Sequence, residues 1–343
     1  MATSTLPGTE VEISKVCLGC WQFGGTQDAP DATWGSMDQK AANDIVARAI
    51  DDGVTIFDTA EGYGNHQSEA VLAEALGSRR RSQGLQIASK FGRFSAQGPH
   101  KFTDVDIEQS LEASLRALKT DYIDLYQVHW PVNMLSAEIT VKALERAKAQ
   151  GKIRNYGVSN FGPQNLKDFV AAGGRPVTNQ VPYNLLMRAV ECDIIPACRE
   201  NNVAILAYSP LQQGLLTGKF HKPEDVPEGR RRTRHFAGTS TSLSRHGQAG
   251  FEKLTFDSIA AVREYTAANL SCSMATASLS WIAGQSQVAA CIVGARTPEQ
   301  VSQNAKLATL TEEQLAKMSA MTDELKTAMG NNADMWAAES RMA

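Results

Sequence analysis

The feature that most constrains this chain is a regular beat of short apolar runs separated by amphipathic stretches. The runs are VCLGC (16–20), VTIFD (54–58), LQIASK (85–90), YIDLYQVH (122–129), IRNYGVS (153–159), PVTNQV (176–181), VAILAYS (203–209) and AACIVGA (289–295). Each has strand length and is rich in Val, Ile, Leu or Tyr, as buried parallel strands require. Helical patterns lie between most of them. MDQKAANDIVARAIDDG places Ala42, Ile45, Val46, Ala49 and Ile50 on one face, and Gly53 stands where a helix C-terminal glycine belongs. FTDVDIEQSLEASLRALK offers Thr103 or Asp104 as N-cap and a stripe of Ile107, Leu111, Leu115 and Leu118. SAEITVKALERAKAQG runs from Ser136 to a stop at Gly151, and TPEQVSQNAKLATL opens with Thr297 and a Pro298 at the first helical position. Strand–helix units repeated in this way predict an α/β fold, a (β/α)8 TIM barrel rather than a doubly wound sheet.

Three segments fall outside the repeat. TSTLPGTEVEIS (3–14) carries Pro7-Gly8 between two short runs and predicts an N-terminal β-hairpin that plugs the bottom of the barrel. Residues 213 to about 250 predict a long loop after the seventh strand. TEEQLAKMSAMTDELKTAM (311–329) predicts an extra C-terminal helix. No linker or low-complexity tract divides residues 1–343, so one domain is expected.

Composition narrows the function classes. A net charge of -3 argues against a nucleic-acid partner or a membrane-surface face. No apolar run has the length of a membrane span, and MATSTLPGTE lacks the basic segment and apolar core of a signal peptide. The six cysteines are scattered, which suits a reducing, cytoplasmic setting. Cys17 and Cys20 form a C-x-x-C pair, but no further ligands stand at zinc spacing, so no metal is expected. Placed on a strand, the two thiols point to opposite faces, which disfavours a dithiol site.

In such a barrel the chemistry sits where strands end. The runs end in Asp58 (with Tyr63 just beyond), Lys90, His129, Ser159-Asn160, Asn179-Gln180, Tyr208-Ser209-Pro210 and Gly294-Ala295-Arg296. One such residue is ordinarily a cap or a solvated charge; their joint occurrence at successive strand ends is hard to explain as capping. A Lys ending an apolar strand needs a partner, and Asp58 is the obvious one. A phenol has an ordinary pKa near 10 and is a poor acid at neutral pH. Lys90 beside Tyr63 is expected to lower it, with His129 orienting the oxygen that Tyr63 serves. The set suits carbonyl reduction and its reverse.

FDTAEGYG-x-x-x-SE, the SK strand end, DLYQVHWP, GKIRNYGVSNF, NQVPYN, AYSPLQQGLLTGK and IVGARTPEQVSQN, in this order, resemble the aldo-keto reductase superfamily over residues 10 to 310. That resemblance implies an NADP(H)-dependent oxidoreductase acting on a small-molecule carbonyl substrate, on a barrel that binds NADPH without the dinucleotide glycine fingerprint; no G-x-G-x-x-G occurs here. It implies catalytic roles for Asp58, Tyr63, Lys90 and His129, with Tyr63 the proton donor. It puts Ser159, Asn160 and Gln180 on the nicotinamide carboxamide and Tyr208 on its ring. Ser209, Pro210, Leu211, Gly214, Leu216, Gly218 and Lys219 fall to the pyrophosphate loop. Gly294, Arg296, Gln300, Gln303 and Asn304 fall to the adenosine end, with Arg296 the natural partner of a 2′-phosphate. Gly19, Cys20 and Trp21 match the first strand end, beside the nicotinamide ribose. Trp21, Tyr63, His129 and Trp130 are the expected substrate wall, with Trp34 and Phe91 as further aromatic candidates.

Some features depart from the pattern or stay open. GLLTGKF is a near miss to a P-loop and predicts no NTPase. His66 stands where many relatives have Gly and is expected to be a solvated loop residue. GRRRTRHF (229–236) reads as a solvated loop covering the cofactor, with one Arg near the pyrophosphate, and Trp336 as a residue docking at the rim. Two rival readings use the same residues: a nicotinamide-binding regulatory module, and an NAD-linked sugar or polyol dehydrogenase. Substrate and oligomeric state are not legible.

Overall fold

A computed structural model describes residues 1–26, 34–92, 94–95, 98–99 and 101–343, with backbone only at 94–95 and 98–99. Two strands, β1 (Thr3–Thr5) and β2 (Glu12–Ser14), pair antiparallel through Thr3↔Ser14. The barrel strands are β3 (Val16–Gly19), β4 (Ile56–Asp58) and β5 (Gln86–Phe91), then, after a short ribbon β6 (Phe94–Ser95) and β7 (Gly98–Pro99), β8 (Ile123–Val128), β9 (Ile153–Ser159), β10 (Thr178–Pro182), β11 (Ala204–Tyr208) and β12 (Val288–Gly294). They close in the order β3-β4-β5-β8-β9-β10-β11-β12, with β12 returning to β3 through Cys291↔Val16. Every barrel pairing is parallel, so all chain exits from the strands lie at one end. The structure is thus the eight-stranded barrel that the beat of apolar runs predicts.

The helices connect strands as their sequences dictate. They are α1 (Gln39–Asp51), α2 (Gln67–Leu76), α3 (Arg79–Ser82), α4 (Asp104–Ala117), α5 (Ala137–Ala149), α6 (Pro163–Ala171), α7 (Ile194–Glu200), α8 (Glu252–Asn269), α9 (Met274–Ala283), α10 (Pro298–Asn304), α11 (Glu312–Ala320) and α12 (Asp323–Met329). Thr103 caps α4 by accepting from the Asp106 N–H, while Asp106 accepts in return from the Thr103 N–H. The apolar stripes of α1 and α4 are buried in the layer between strands and helices, with Val46, Phe57 and Leu111 among its members. A second apolar cluster fills the lower interior of the barrel. Leu6 and Ile13 of the hairpin join Cys17, Ile56, Ala88, Leu125 and Leu206 there, so the hairpin does stopper that end.

One expectation needs correction. The segment 311–329 is two helices, not one. Arg188 donates to the Ser319 carbonyl (2.7 Å) and to the Thr322 hydroxyl (3.1 Å), and these bonds compete with continuation of the helix at that point. The stretch from 213 to about 250 is the expected long loop, broken only by short 3-10 turns; α8 and α9 follow it and carry the chain back to β12. Among the described residues, no helix is long and apolar enough to cross a membrane.

Candidate active site

A cavity of about 840 Å³ opens at the C-terminal ends of the strands. Its floor is a buried ionic group. Lys90, fully buried on β5, donates to Asp58 Oδ1 at 2.7 Å, to the Thr59 carbonyl at 2.8 Å and to the Tyr63 hydroxyl at 3.4 Å. Asp58 Oδ2 accepts from Gln180 Nε2 at 2.7 Å, tying β4 to β10 across the barrel. Burial is the largest single influence and would lower the Lys90 pKa, but Asp58 and Tyr63 together outweigh it and hold the ammonium above its ordinary value. Tyr63 differs from the expectation. Lys90 does pull its pKa down, yet burial acts more strongly and raises it overall, so the phenol keeps its proton at neutral pH. His129 packs edge-on to Tyr63 at 5.9 Å. Burial, and then the Lys90 charge, push its ring down to about 3, so it is a neutral imidazole. Its Nδ1 is buried with no hydrogen-bond partner among the described residues.

The neighbouring strand ends form a second bonded layer. Asn160 takes a left-handed backbone (φ 61°), which turns its amide inward. Its Nδ2 donates to the His129 carbonyl (3.0 Å) and to Ser159 Oγ (3.1 Å), and its Oδ1 accepts from the Tyr208 hydroxyl (2.9 Å). Ser209, Gln212 and Gln213 are also left-handed, so the chain after β11 folds tightly over the mouth. Gly214 follows with φ 97°, and a side chain there would meet Lys219 Nζ (3.5 Å) and Arg230 Nη1 (3.6 Å).

These two cations and Arg296 mark one end of the cavity. Burial and then Arg230 lower the Lys219 pKa; burial and then Arg296 lower that of Arg230. Arg230 Nε is buried without a hydrogen-bond partner among the described residues. The Arg296 guanidinium rests on the carbonyls of Trp34 and Ser36, and its backbone N–H donates to Gln300 Oε1 (2.8 Å). Like charges held together with an unused donor fit a polyphosphate group.

Most of the residues singled out from the sequence meet in this cavity. Gly19, Trp21, Asp58, Tyr63, His129 and Trp130 line the floor and one wall. Ser159, Asn160, Gln180, Tyr208, Ser209 and Pro210 line the next. Leu211, Gly214, Lys219, Gly294 and Arg296 continue it, with Gln300, Gln303 and Asn304 at the far end. Cys20, Lys90, Leu216 and Gly218 stand behind the wall; the first three are fully buried, and Gly218 serves a left-handed turn (φ 82°). Cys17, on β3, and Cys20, just past its end, lie in different apolar clusters, and burial raises both thiol pKa values well above the ordinary range. Among the described residues, no group of metal-ligating side chains occurs.

Other expectations fail for identifiable reasons. Phe91 is not in the wall: it stacks on Tyr126 at 5.1 Å in the outer core. His66 is only partly exposed, and its Nδ1 lies 2.6 Å from Oε2 of Glu69, which is itself buried and held by Ser89. The run 229–236 is not a solvated stretch. Thr233, Arg234, His235 and Phe236 are buried, and Arg234 donates to the carbonyls of Met329 (3.1 Å) and Asn332 (2.8 Å), where α12 ends. Sequence reasoning also missed Gln213, whose buried amide has no partner among the described residues, and Arg232 and Arg341, which line the cavity. Only the cluster of four arginines in one loop hinted at the first of these arginines.

Residues 15–323 match the Aldo/keto reductase family. The chain belongs to that family. Aldo-keto reductase YhdN of Bacillus subtilis is 36% identical over 64% of this chain and 65% of its own length, just under two thirds. The NADH-specific methylglyoxal reductase of Escherichia coli is 30% identical over 86% of this chain and 90% of its own. Among solved structures, the glycerol dehydrogenase from Gluconobacter oxydans superposes with a TM-score of 0.78 at 28% identity, covering 94% of this chain and 95% of that one. An aldo-keto reductase from Klebsiella pneumoniae in complex with NADPH gives 0.67 at 25% identity over 94% and 96%. This chain is therefore an aldo-keto reductase-family oxidoreductase, a family that uses a nicotinamide cofactor.

Proposed function

We propose that this aldo-keto reductase-family chain reduces an aldehyde or ketone with NADPH, and that Tyr63 supplies the proton. The observation that carries this reading is the placement of Lys90 between the Asp58 carboxylate (2.7 Å) and the Tyr63 hydroxyl (3.4 Å), at the floor of the cavity of about 840 Å³. A bound nicotinamide supplies the hydride. The chain's own residues do the rest. Tyr63 holds a proton at Oη because burial keeps the phenol neutral. As negative charge grows on the substrate oxygen, Tyr63 gives that proton up, and the Lys90 ammonium stabilises the phenolate left behind. Asp58 keeps Lys90 charged and fixed. Neutral His129 orients the oxygen by a hydrogen bond rather than by proton transfer, since its ring does not protonate near neutrality. Ser159, Asn160 and Gln180 are the proposed carboxamide partners, and Tyr208 the proposed ring platform. Lys219, Arg230 and Arg296 are the proposed phosphate partners. Arg296 favours NADPH over NADH because its fork matches a 2′-phosphate.

Tyr63→Phe removes the proton and nothing else of comparable size. Its turnover of aldehydes should fall by about 100-fold or more, while NADPH titrated by fluorescence quenching binds as before. Full turnover by the variant would remove Tyr63 from the donor role.

A further inference from the structure

The loop that presents Tyr63 is closed by a residue the proposed reaction does not use. Glu61 opens the loop: its N–H donates to the Lys90 carbonyl (3.1 Å), and its Oε1 accepts from the Gly92 N–H (2.9 Å). His66 closes it by donating its N–H to the Glu61 carbonyl at 2.8 Å, which leaves Tyr63 at the crown of the turn. To make that turn Gly64, Asn65 and His66 are all left-handed, at φ 67°, 52° and 70°. Gly64 suits this conformation, and it packs so close to the Gly24 carbonyl that no side chain would fit there. A histidine at such a φ is strained. His66 stands at the N-cap of α2, yet its side chain makes no capping bond. The ring turns to Glu69 instead, with Nδ1 at 2.6 Å from Oε2. An ionised carboxylate only accepts, so the Nδ1–H donates. Glu69 Oε1 accepts in turn from Ser89 Oγ at 2.5 Å. Ser89 precedes Lys90 on β5, and successive strand residues point to opposite faces. Lys90 reaches into the barrel to Asp58, while Ser89 reaches outward to Glu69. The strand is thus gripped from both faces, and both grips end at the Tyr63 loop.

We propose that His66 is a positioning residue for Tyr63, acting through Glu69 and Ser89. This rests on the reductase reading above. The Tyr63 hydroxyl lies 3.4 Å from Lys90 Nζ, at the long end of the hydrogen-bonding range, so a shift of about 0.5 Å breaks the contact. Lys90 itself is fixed by Asp58 and the Thr59 carbonyl, so the loop sets that separation. Gly62 and Gly64 flank Tyr63 and give the loop freedom of its own. The path from His66 through Glu69 to Ser89 takes that freedom away, because it ties the exit of the loop to the residue beside Lys90. Ser89 and Glu69 are fully buried, and hydrogen bonds in such a setting are strong and hold one geometry. The left-handed backbone of His66 is the cost of aiming its ring at Glu69.

The test uses two substitutions in the whole chain that both fit a left-handed backbone. Glycine has no side chain, whereas asparagine offers an amide nitrogen one bond beyond Cγ, where Nδ1 of His66 stands. In His66→Gly the thermal midpoint should hold within about 3 °C, because relief of the backbone offsets the extra freedom of glycine in the unfolded chain. NADPH binding, read by fluorescence quenching, should not change. With NADPH and benzaldehyde or glyceraldehyde, kcat should fall by about tenfold with little change in KM. His66→Asn should recover most of that loss. In a Glu69→Gln background His66→Gly should cost far less than the same factor, since the two act along one path. Ring-labelled tyrosine gives a readout that needs no turnover: the Tyr63 NMR signal, identified by its loss in Tyr63→Phe, should shift in His66→Gly and return in His66→Asn. Unchanged kcat in His66→Gly, with or without a lower thermal midpoint, overturns the proposal and leaves His66 a residue of the fold. Equal losses in the glycine and asparagine variants overturn it too, and full additivity with Glu69→Gln overturns the route through Glu69. Absence of aldehyde turnover in the wild type overturns the reductase reading instead, while the Tyr63 signal still decides whether His66 positions that ring.

Discussion

The floor of the cavity and its rim are built by different forces. On the floor, Asp58, Lys90 and Gln180 sit on three strands of one sheet and are locked by short directional bonds of 2.7 Å, with almost no exposure. At the rim, Arg230, Arg232 and Arg341 come from loops and rest against the rings of Trp34, Trp21, Trp336 and Trp130 at 4.0 to 5.3 Å. Hydrogen bonds in a low-dielectric floor fix geometry and proton position. Contacts of cations with ring faces are broad in angle and tolerate adjustment. The floor thus holds its groups in one geometry, while the rim can adjust.

The comparison breaks most visibly at Lys90. Lys90→Met leaves Asp58 as a buried charge without its cation, so folding stability should drop by about 3–5 kcal/mol and aldehyde turnover should nearly vanish. Thermal unfolding and steady-state kinetics on the same sample check both. A stable variant with intact turnover would show that the floor is not a single ionic unit. Arg296→Leu attacks the other region. Stability should hardly change, while NADPH affinity falls by about tenfold or more and NADH affinity much less. Equal losses for the two would undo the 2′-phosphate assignment.

Acid sharpens the contrast further, because each region holds one neutral imidazole. His129 is pushed down to about 3, and His235 to about 4, in both cases chiefly by burial. His235 anchors the rim, with Nε2 at 2.9 Å from the Leu186 carbonyl and Nδ1 at 3.0 Å from Gln212 Nε2. In the unfolded chain both rings protonate near pH 6.5. Between that pH and about 4 the unfolded state binds more protons, so stability present above pH 6.5 is lost as pH falls through this window. Denaturant midpoints measured against pH should show it. His235→Asn should flatten the slope by up to about 1.4 kcal/mol per pH unit; an unaltered slope removes His235 from this role. The smallest effect concerns thiols. In the native protein a maleimide should label exposed Cys192 and leave Cys17 and Cys20 untouched, as mass mapping of the peptides would show.

The floor was legible in the sequence because a strand is short and its end is marked. Asp58, Lys90, His129 and Gln180 each close or end an apolar run, and parallel order brings those ends together without further information. The rim was legible only in part: Trp21 and Trp336 were expected there and do line the cavity, while the arginine beside them was not placed. Trp21, Arg232 and Trp336 lie far apart along the chain, and no periodicity relates them. The buried half of 229–236 was misread because Arg234 looks like a surface charge until the end of α12 supplies carbonyls for it. The pKa of Tyr63 was misjudged because proximity to Lys90 shows in the pattern, whereas the depth of burial that outweighs it does not.

The segment that carries Trp336 and Arg341 has a consequence in time. A chain made from its N-terminal end has all eight strands, through Gly294, before these two residues are synthesised. Asn165 then binds Ala343 twice, its N–H donating to the Ala343 carbonyl (2.9 Å) and its Oδ1 accepting the Ala343 N–H (2.8 Å), which brings the late segment back across the mouth. The proposed catalytic residues are all synthesised while the mouth still lacks one side. In the order of synthesis, the proposed catalytic residues precede the segment that completes the rim.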